Sequence, residues 1–134
     1  MNILFVCKFN RFRSTFSEAF FKKLDKSSKY NAKSAGLIKG RPISKSVKEC
    51  ASELGIRIKK EPEGITSELL DWADIIVVVA DNVPSSIFKE PKKKKAKLIR
   101  WNVRDVYSGK KEDIKKRALL IKKKVERLFS GLEN

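Results

Sequence analysis

The chain contains no histidine, and its 134 residues include only two cysteines, Cys7 and Cys50. Without histidine, a general acid has to be an aspartate, glutamate, lysine, tyrosine or cysteine. The two cysteines form neither a C-x-x-C pair nor a zinc-binding pattern. The sequence therefore indicates no metal site, and each cysteine has to be explained by its own surroundings.

Long apolar runs and targeting signals are also missing. No apolar run reaches the roughly 18 residues needed to cross a bilayer, so we expect no membrane span. The N-terminus has no basic segment before its short apolar run, although signal peptides have one. We therefore expect a cytoplasmic protein.

Acidic residues are scarce relative to basic ones. The chain has 16 Asp and Glu against 32 Lys and Arg, which gives a formal net charge of +16. Such a surplus attracts polyanions, including nucleic acid, acidic proteins and anionic membrane surfaces. The lysines are also scattered along most of the chain, which is typical of a solvated surface. The lysine run at 92–97 predicts a solvated loop or, as the alternative, a handle for a polyanion. No residue pattern indicates an oligomeric state.

The length and the hydrophobic content of 41% suit one domain with a single core, residues 1–134. Patterning predicts strands at 3–6, 31–34, 74–80 and 98–101, a short extended piece at 56–58, and helices at 14–25, 42–54, 66–72, 84–88 and 111–129. Strands that alternate with helices imply βαβ units, hence an α/β fold with a mostly parallel sheet. Ligands of such sheets bind beyond the carboxyl ends of the strands.

The main chemical signal lies between Val6 and Thr15. Cys7 ends the first predicted strand, and Arg13 follows it by six positions. Ser14 and Thr15 are good helix starters, so the cysteine and the arginine flank a loop before a helix N-terminus. Backbone N–H groups converge there, and the helix dipole favours an anion. The sequence therefore predicts an oxyanion site that Arg13 grips with two N–H groups.

The residue types around Cys7 favour a nucleophilic thiolate. A helix N-terminus and nearby cations stabilise the charged sulfur. The predicted cations are Lys8, Arg11 and Arg13. Ser14 can donate a hydrogen bond to the sulfur, and Asn10 tolerates the left-handed backbone that a tight loop needs. The alternative for Cys7 is a small buried hydrophobe, which is the interpretation we give to Cys50 on the apolar face of the second helix.

The pattern V-C-x-x-N-x-x-R-S-T resembles the low-molecular-weight protein tyrosine phosphatases, whose fold the thioredoxin-coupled arsenate reductases share. Ser34-Ala35-Gly36 and Gly40-Arg41-Pro42 resemble the family's S-A-G…G-x-P segment. The resemblance extends over the whole chain. It implies a three-layer sandwich with a central four-stranded parallel sheet, order 2-1-3-4, flanked by helices. It also implies that Ser34 braces the loop after Cys7.

The resemblance implies a set of phosphate- or substrate-binding residues, which comprises Lys8, Phe9, Asn10, Arg11, Phe12, Arg13, Ser14 and Tyr107. The chain departs from the family at two of these positions. Phe9 stands where the family usually has glycine. Phe12 stands where many members have a second cysteine, so this chain lacks that redox partner for Cys7.

The late segment W-N-V-R-D-V-Y resembles the family's D-P-aromatic loop, with Val106 in the place of the proline. By this resemblance Asp105 is the general acid. Cys7 attacks phosphorus while Asp105 protonates the leaving oxygen, and Asp105 then activates the water that hydrolyses the cysteinyl phosphate. Arg13 and the loop N–H groups hold the phosphoryl group, and neither a metal nor a cofactor is implied.

The expected substrate is a phosphorylated protein, with phosphotyrosine first because Tyr107 offers an aromatic wall. Phosphoarginine and small phosphoesters stay open. Two further alternatives stay open as well. Arsenate reduction on the same fold needs additional cysteines, and residues 80–90 contain none. A non-catalytic module that binds anions or nucleic acid would result if Phe9 and Phe12 block the pocket.

Overall fold

The computed structural model describes residues 1–88 and 96–134. Within these ranges four strands form one sheet: β1 (Asn2–Cys7), β2 (Asn31–Gly36), β3 (Ile75–Val79) and β4 (Lys97–Trp101). All neighbouring strands are parallel, and their order is β2-β1-β3-β4. The predicted α/β fold and strand order are therefore confirmed. Most of the lysine run at 92–97 lies outside the described residues.

Four helices accompany the sheet: α1 (Arg13–Leu24), α2 (Lys45–Glu53), α3 (Ser67–Trp72) and α4 (Lys111–Glu133). A 3₁₀ turn covers Ser85–Phe88. The side chains of Ser44 and Thr66 accept hydrogen bonds from the third residue of α2 and α3, so both helices start with a side-chain cap. No helix in the described part of the chain is long and apolar enough to cross a membrane.

The sheet separates two apolar clusters because successive strand residues point to opposite faces. Ile3 and Phe5 belong to the cluster that also contains side chains of α1, α2 and α4. Leu4 and Val6 belong to the other cluster, which includes residues of α3. Helices thus cover both faces, and β1 and β3 are buried throughout their central residues, as their continuous apolar runs require.

Three predicted details are wrong or incomplete. Ser14 and Thr15 do not cap α1, because the helix begins one residue earlier and no side chain caps it. Residues 56–58 form no strand, since the Ile56 amide bonds the Ala51 carbonyl and so closes the end of α2. Helix α4 runs four residues further than predicted, to Glu133, where hydrogen bonds from Tyr30 hold its last turn.

Candidate active site

The carboxyl ends of β1, β3 and β4 bring the predicted chemistry to one edge of the sheet. Cys7 ends β1, Asp81 follows β3 and the Asp105 loop (residues 102–110) follows β4. A cavity of about 250 Å³ opens at this edge. The predicted residues that line it are Cys7, Phe9, Arg11, Phe12, Arg13, Asp105 and Tyr107. Lys8, Asn10 and Ser14 were also predicted but do not line the cavity.

The sulfur of Cys7 is buried and hydrogen-bonded on two sides. It lies 2.9 Å from Ser14 Oγ and accepts the Asn10 amide N–H at 3.3 Å. A thiolate is a strong acceptor for both hydrogen bonds, whereas the sulfur of a protonated thiol is a weak acceptor. The Ser14 hydroxyl and the Asn10 amide are therefore both within hydrogen-bond distance of the sulfur.

Asn10 holds the Cys7 loop (residues 7–14) from behind. Its φ of 56° is left-handed, as the sequence suggested. Its side-chain amide donates to Ser14 Oγ at 2.8 Å and to Ser34 Oγ at 3.0 Å. Its Oδ1 accepts Lys59 Nζ at 3.0 Å and the Glu63 amide at 2.9 Å. The side chain therefore uses both of its N–H groups and both of its lone pairs.

Glu18 fixes the direction of the protons in this network. Ser34 donates its hydroxyl proton to Glu18 Oε1 at 2.5 Å, so the Ser34 oxygen accepts from Asn10. The second N–H of the Asn10 side-chain amide donates to the Ser14 oxygen. The proton of Ser14 is then free to donate to the Cys7 sulfur, which is the direction that stabilises a thiolate.

Sequence reasoning missed Glu18 and Lys59. Glu18 had a signal, because it lies four residues after Ser14 and thus on the same face of α1. Lys59 lies in a polar connection without periodicity, 49 positions from the Asn10 side chain that it bonds. Only the folded chain brings those two residues together.

The segment after β2 follows the Cys7 loop closely. The amides of Leu37, Ile38 and Gly40 bond the carbonyls of Cys7, Lys8 and Phe9 at 2.9–3.1 Å. A Cβ atom on Gly36 would lie 2.7 Å from the carbonyl carbon of Phe9 and 2.8 Å from the amide nitrogen of Asn10. Only glycine permits this approach, which accounts for the S-A-G motif in physical terms.

Arg13 is almost fully buried at 1% exposure and joins the three loops. Its Nη1 donates to the Val103 carbonyl at 3.0 Å and lies 3.7 Å from Asp81 Oδ1. Its Nη2 lies 3.5 Å from Asp105 Oδ2. The structure thus places Asp105 beside Arg13, where the two carboxylates balance the buried guanidinium.

The N-terminus of α1 has no side-chain cap, and Phe12 precedes it. The first N–H groups of a helix have no partner within the helix, so at this end they are available to an anion in the loop. The ring of Phe12 packs edge-on against Phe16 at 4.7 Å. Phe9 does not have a positive φ, so its backbone does not require the glycine that the family usually has there.

The Asp105 loop is more open than the Cys7 loop. Oδ1 of Asp105 accepts the Val106 amide at 2.9 Å, and the Tyr107 side chain is 82% exposed at the rim of the cavity. Arg117 on α4 donates to the Arg104 carbonyl at 3.0 Å and anchors the loop. The carboxylate of Asp105 is thus near the cavity, while the aromatic side chain next to it faces solvent.

Cys50 belongs to a different environment. It is buried among the residues that pack α2 against the core, whereas Cys7 belongs to the cluster on the other side of the sheet. Burial raises the pKa of the Cys50 thiol above its ordinary value, and the charge of Glu53 adds to the effect. Within residues 1–88 and 96–134 no group of three metal-ligating side chains comes together.

A parallel sheet with a cysteine and an arginine in the loop after its first strand is the arrangement of cysteine-dependent phosphatases. The family described as low molecular weight phosphotyrosine protein phosphatase matches residues 2–134. The chain therefore belongs to this family, and it is a phosphatase-like hydrolase. A comparison with curated protein sequences found no match.

Solved structures with the same fold carry several activities. A low molecular weight protein tyrosine phosphatase from T. tengcongensis is 27% identical, with a TM-score of 0.84 and coverage of 98% of this chain and 99% of that one. An arsenate reductase from Archaeoglobus fulgidus is 26% identical, with a TM-score of 0.78 and coverage of 96% and 98%. An arginine phosphatase from Geobacillus stearothermophilus is 20% identical, with a TM-score of 0.79 and coverage of 98% and 92%, and shares the fold.

Proposed function

We propose that the chain is a metal-independent cysteine phosphatase that hydrolyses phosphomonoesters, with protein phosphotyrosine as the substrate. The observation that carries the proposal is the meeting of three groups at one cavity. The Cys7 sulfur is hydrogen-bonded to Ser14 and Asn10, Arg13 lines the same cavity as Cys7, and Asp105 lies 3.5 Å from the Arg13 guanidinium. These are a nucleophile, an anion-binding fork and a proton donor.

In the first step the thiolate of Cys7 attacks phosphorus. The S–P bond forms while the bond from phosphorus to the leaving oxygen breaks, and protonated Asp105 gives its proton to that oxygen. Arg13 and the free N–H groups at the start of α1 stabilise the charge on the other three phosphoryl oxygens. The product alcohol leaves, and a cysteinyl phosphate remains.

In the second step water hydrolyses the cysteinyl phosphate. Ionised Asp105 accepts a proton from the water as its oxygen bonds phosphorus and the P–S bond breaks. The departing sulfur carries the negative charge. The Ser14 hydroxyl is oriented to donate to it because the Ser14 oxygen accepts an N–H of Asn10, whose other N–H bonds the Ser34 oxygen while Ser34 donates to Glu18. Inorganic phosphate then leaves and the thiolate is restored.

Aromatic and apolar side chains favour an aryl phosphate as the substrate. Phe9, Val106 and Tyr107 line the cavity together with Cys7. A phosphotyrosine ring can pack between such walls while its phosphoryl group reaches the loop. Phosphoarginine and small phosphoesters are the competing substrates, and a phosphorylated protein is the partner that the aromatic wall favours.

Arsenate reduction is the second candidate, because an arsenate reductase is 26% identical over nearly the whole chain. The described residues argue against a thiol relay. Cys50, the other cysteine of the chain, is buried in a separate apolar cluster, where burial raises the pKa of its thiol and so disfavours the thiolate. A non-catalytic anion-binding module is disfavoured too, because a cavity remains at Cys7 with Phe9 and Phe12 in its wall.

The test is hydrolysis of p-nitrophenyl phosphate at pH 5–7 with a chelator present, by the wild type, Cys7→Ser and Cys50→Ser. We expect turnover in the wild type and in Cys50→Ser, and none in Cys7→Ser. Activity that survives in Cys7→Ser, or that the chelator removes, would overturn the proposal. Sustained arsenate turnover with a thioredoxin system in place of phosphatase activity would favour the second candidate.

A further inference from the structure

Two arginines line the cavity, and they differ in how their charge is balanced. Arg13 is buried and faces the carboxylates of Asp81 and Asp105. Arg11 is partly exposed and bonds only main-chain carbonyl groups. Within residues 1–88 and 96–134 no carboxylate comes within 4.0 Å of the Arg11 guanidinium. Among the described residues, Arg11 is thus a cation of the cavity lining that has no carboxylate partner.

The Arg11 guanidinium is held in place. Its Nε lies 3.1 Å from the Arg41 carbonyl and 3.3 Å from the Pro42 carbonyl, and its Nη2 bonds the latter at 3.0 Å. A Cβ atom on Gly40 would lie 2.8 Å from both Cγ and Cδ of Arg11, so glycine makes room for the stem. These contacts use two of the five N–H groups of a guanidinium, and the others are free.

We propose that Arg11 binds a second anionic group of the substrate, a carboxylate or a further phosphate close to the phosphoryl group that is cleaved. Arg13 and the N–H groups of α1 already serve the phosphoryl group itself. Arg11 is held by the carbonyl groups of Arg41 and Pro42. A fixed fork with free N–H groups and no carboxylate partner among the described residues is suited to a carboxylate or phosphate.

The substrate class is therefore a doubly anionic phosphoester. The second anion has two sources: an acidic side chain beside a phosphorylated residue, or a second acidic group on a small molecule. Lys8 adds to the local charge, since its ammonium lies 5.2 Å from the centre of the Phe9 ring that lines the cavity. This inference rests on the proposed phosphatase function and narrows its substrate.

The experiment compares matched substrates that differ in one charge. One pair is a phosphotyrosine peptide flanked by Glu or by Gln, and the other is phenyl phosphate with a meta carboxylate or a meta carboxamide. The readout is the ratio of kcat/KM within each pair, for the wild type, Arg11→Gln, Arg11→Lys and Arg57→Gln. Arg57 is an exposed residue that lines a different cavity, so its variant controls for the loss of one positive charge.

We expect the wild type and Arg57→Gln to prefer the acidic member about fivefold to tenfold at low salt, the range between exposed ion pairs and charge-assisted hydrogen bonds. The ratio falls to near one in Arg11→Gln and is intermediate in Arg11→Lys. A preference only within the peptide pair identifies a flanking side chain as the source, and one only within the aryl pair identifies a small molecule. An equal ratio in the wild type and Arg11→Gln overturns the inference.

A binding arm separates this inference from the phosphatase proposal. The Kd of each substrate is measured for Cys7→Ser and for Cys7→Ser combined with Arg11→Gln. Absence of turnover on every substrate would overturn the proposed function, and the Kd ratios would then decide the role of Arg11 alone. We expect Cys7→Ser to bind the acidic member of each pair about fivefold to tenfold more tightly than the neutral one. Cys7→Ser combined with Arg11→Gln should bind both members equally.

Discussion

The back of the Cys7 loop and the Asp105 loop are built in opposite ways. Behind the Cys7 loop both polar atoms of the Asn10 side chain have partners, and the hydrogen bonds continue through Ser34 to the buried carboxylate of Glu18, which also accepts from Lys22. In the Asp105 loop, the Asp105 side chain contacts Arg13 through one carboxylate oxygen and accepts the Val106 amide with the other, and the Val103 carbonyl accepts one further bond from Arg13. Tyr107 beside it is mostly exposed.

This difference matches the two roles that we propose for the candidate site, one for each loop. Anion binding and thiolate stabilisation depend on groups that are fixed before a substrate arrives, so they cost little reorganisation. Asp105, the proposed proton donor, is held on a more open loop, where it can meet leaving groups of different shape. Arg13 lies in the Cys7 loop and contacts the Asp105 loop, so substitutions in each loop can separate the two contributions.

Arg13→Ala should have the largest effect because it damages both regions. It removes the fork that holds the phosphoryl group and leaves Asp81 and Asp105 without their cation. We expect kcat/KM for p-nitrophenyl phosphate to fall by about 10³-fold or more. Arg57→Ala is the control and should change kcat/KM less than twofold or so, as is usual for an exposed site. A loss below tenfold or so would remove Arg13 from phosphate binding.

Asp105→Asn should affect the open loop alone. Without a proton donor, phenyl phosphate should lose about 10²-fold or more in kcat/KM, which reports the first step, while p-nitrophenyl phosphate, whose leaving group needs less help, should lose much less. Asp71→Asn on the exposed face of α3 is the control. An equal loss for both leaving groups would exclude Asp105 as the general acid.

Asn10→Ala should lower the stability of the protein by removing the hydrogen bonds behind the Cys7 loop. Four hydrogen bonds are lost in a buried position, and alanine is strained at a φ of 56°. We expect the free energy of unfolding to fall by about 2–3 kcal/mol, measured by urea denaturation. Asn31→Ala removes one exposed hydrogen bond and should cost less than about 0.5 kcal/mol. Equal costs at both positions would show that the network does not stabilise the loop.

The sequence predicted the position of the Cys7 loop in the fold, but not the hydrogen bonds from other segments that hold the loop. The apolar run of β3 and the Cys7–Arg13 spacing are local patterns, so the sheet edge and the loop could be inferred. The contact of Lys59 with Asn10 depends on how the connection after α2 returns over the sheet. No periodicity encodes such a contact. The start of α1 was missed because Ser14 turns to the sulfur instead of capping the helix.

The Asp105 loop was placed by resemblance rather than by pattern. A carboxylate in an irregular segment has no periodic signal, and the family's D-P-aromatic loop supplied the position. The structure adds that Asp105 lies beside Arg13, and that Tyr107 faces solvent. The surroundings of Arg11, which has no carboxylate partner among the described residues, could not be inferred either, because its carbonyl partners lie 30 and 31 positions away.

Substitution of Cys50 should have the smallest effect, and it concerns stability, whereas Cys7 is proposed to act in catalysis. Burial raises the pKa of its thiol above the ordinary value of 9.0, so the folded state favours the neutral form. This contribution is complete below about pH 9, where both states are neutral, and is lost as the pH rises through the raised value. Cys50→Ala should cost about 1 kcal/mol at pH 7 and less at pH 10. A difference that stays constant from pH 7 to 10 would contradict this.

The most direct test of the proposed mechanism is rapid-quench mass spectrometry of Asp105→Asn during turnover of p-nitrophenyl phosphate, whose leaving group needs little help in the first step. The slowed second step should let the covalent intermediate accumulate. We predict a phosphoryl adduct on the peptide that contains Cys7, with none on the peptide that contains Cys50. Turnover without an adduct on Cys7, or an adduct on another residue, would contradict a cysteinyl-phosphate mechanism.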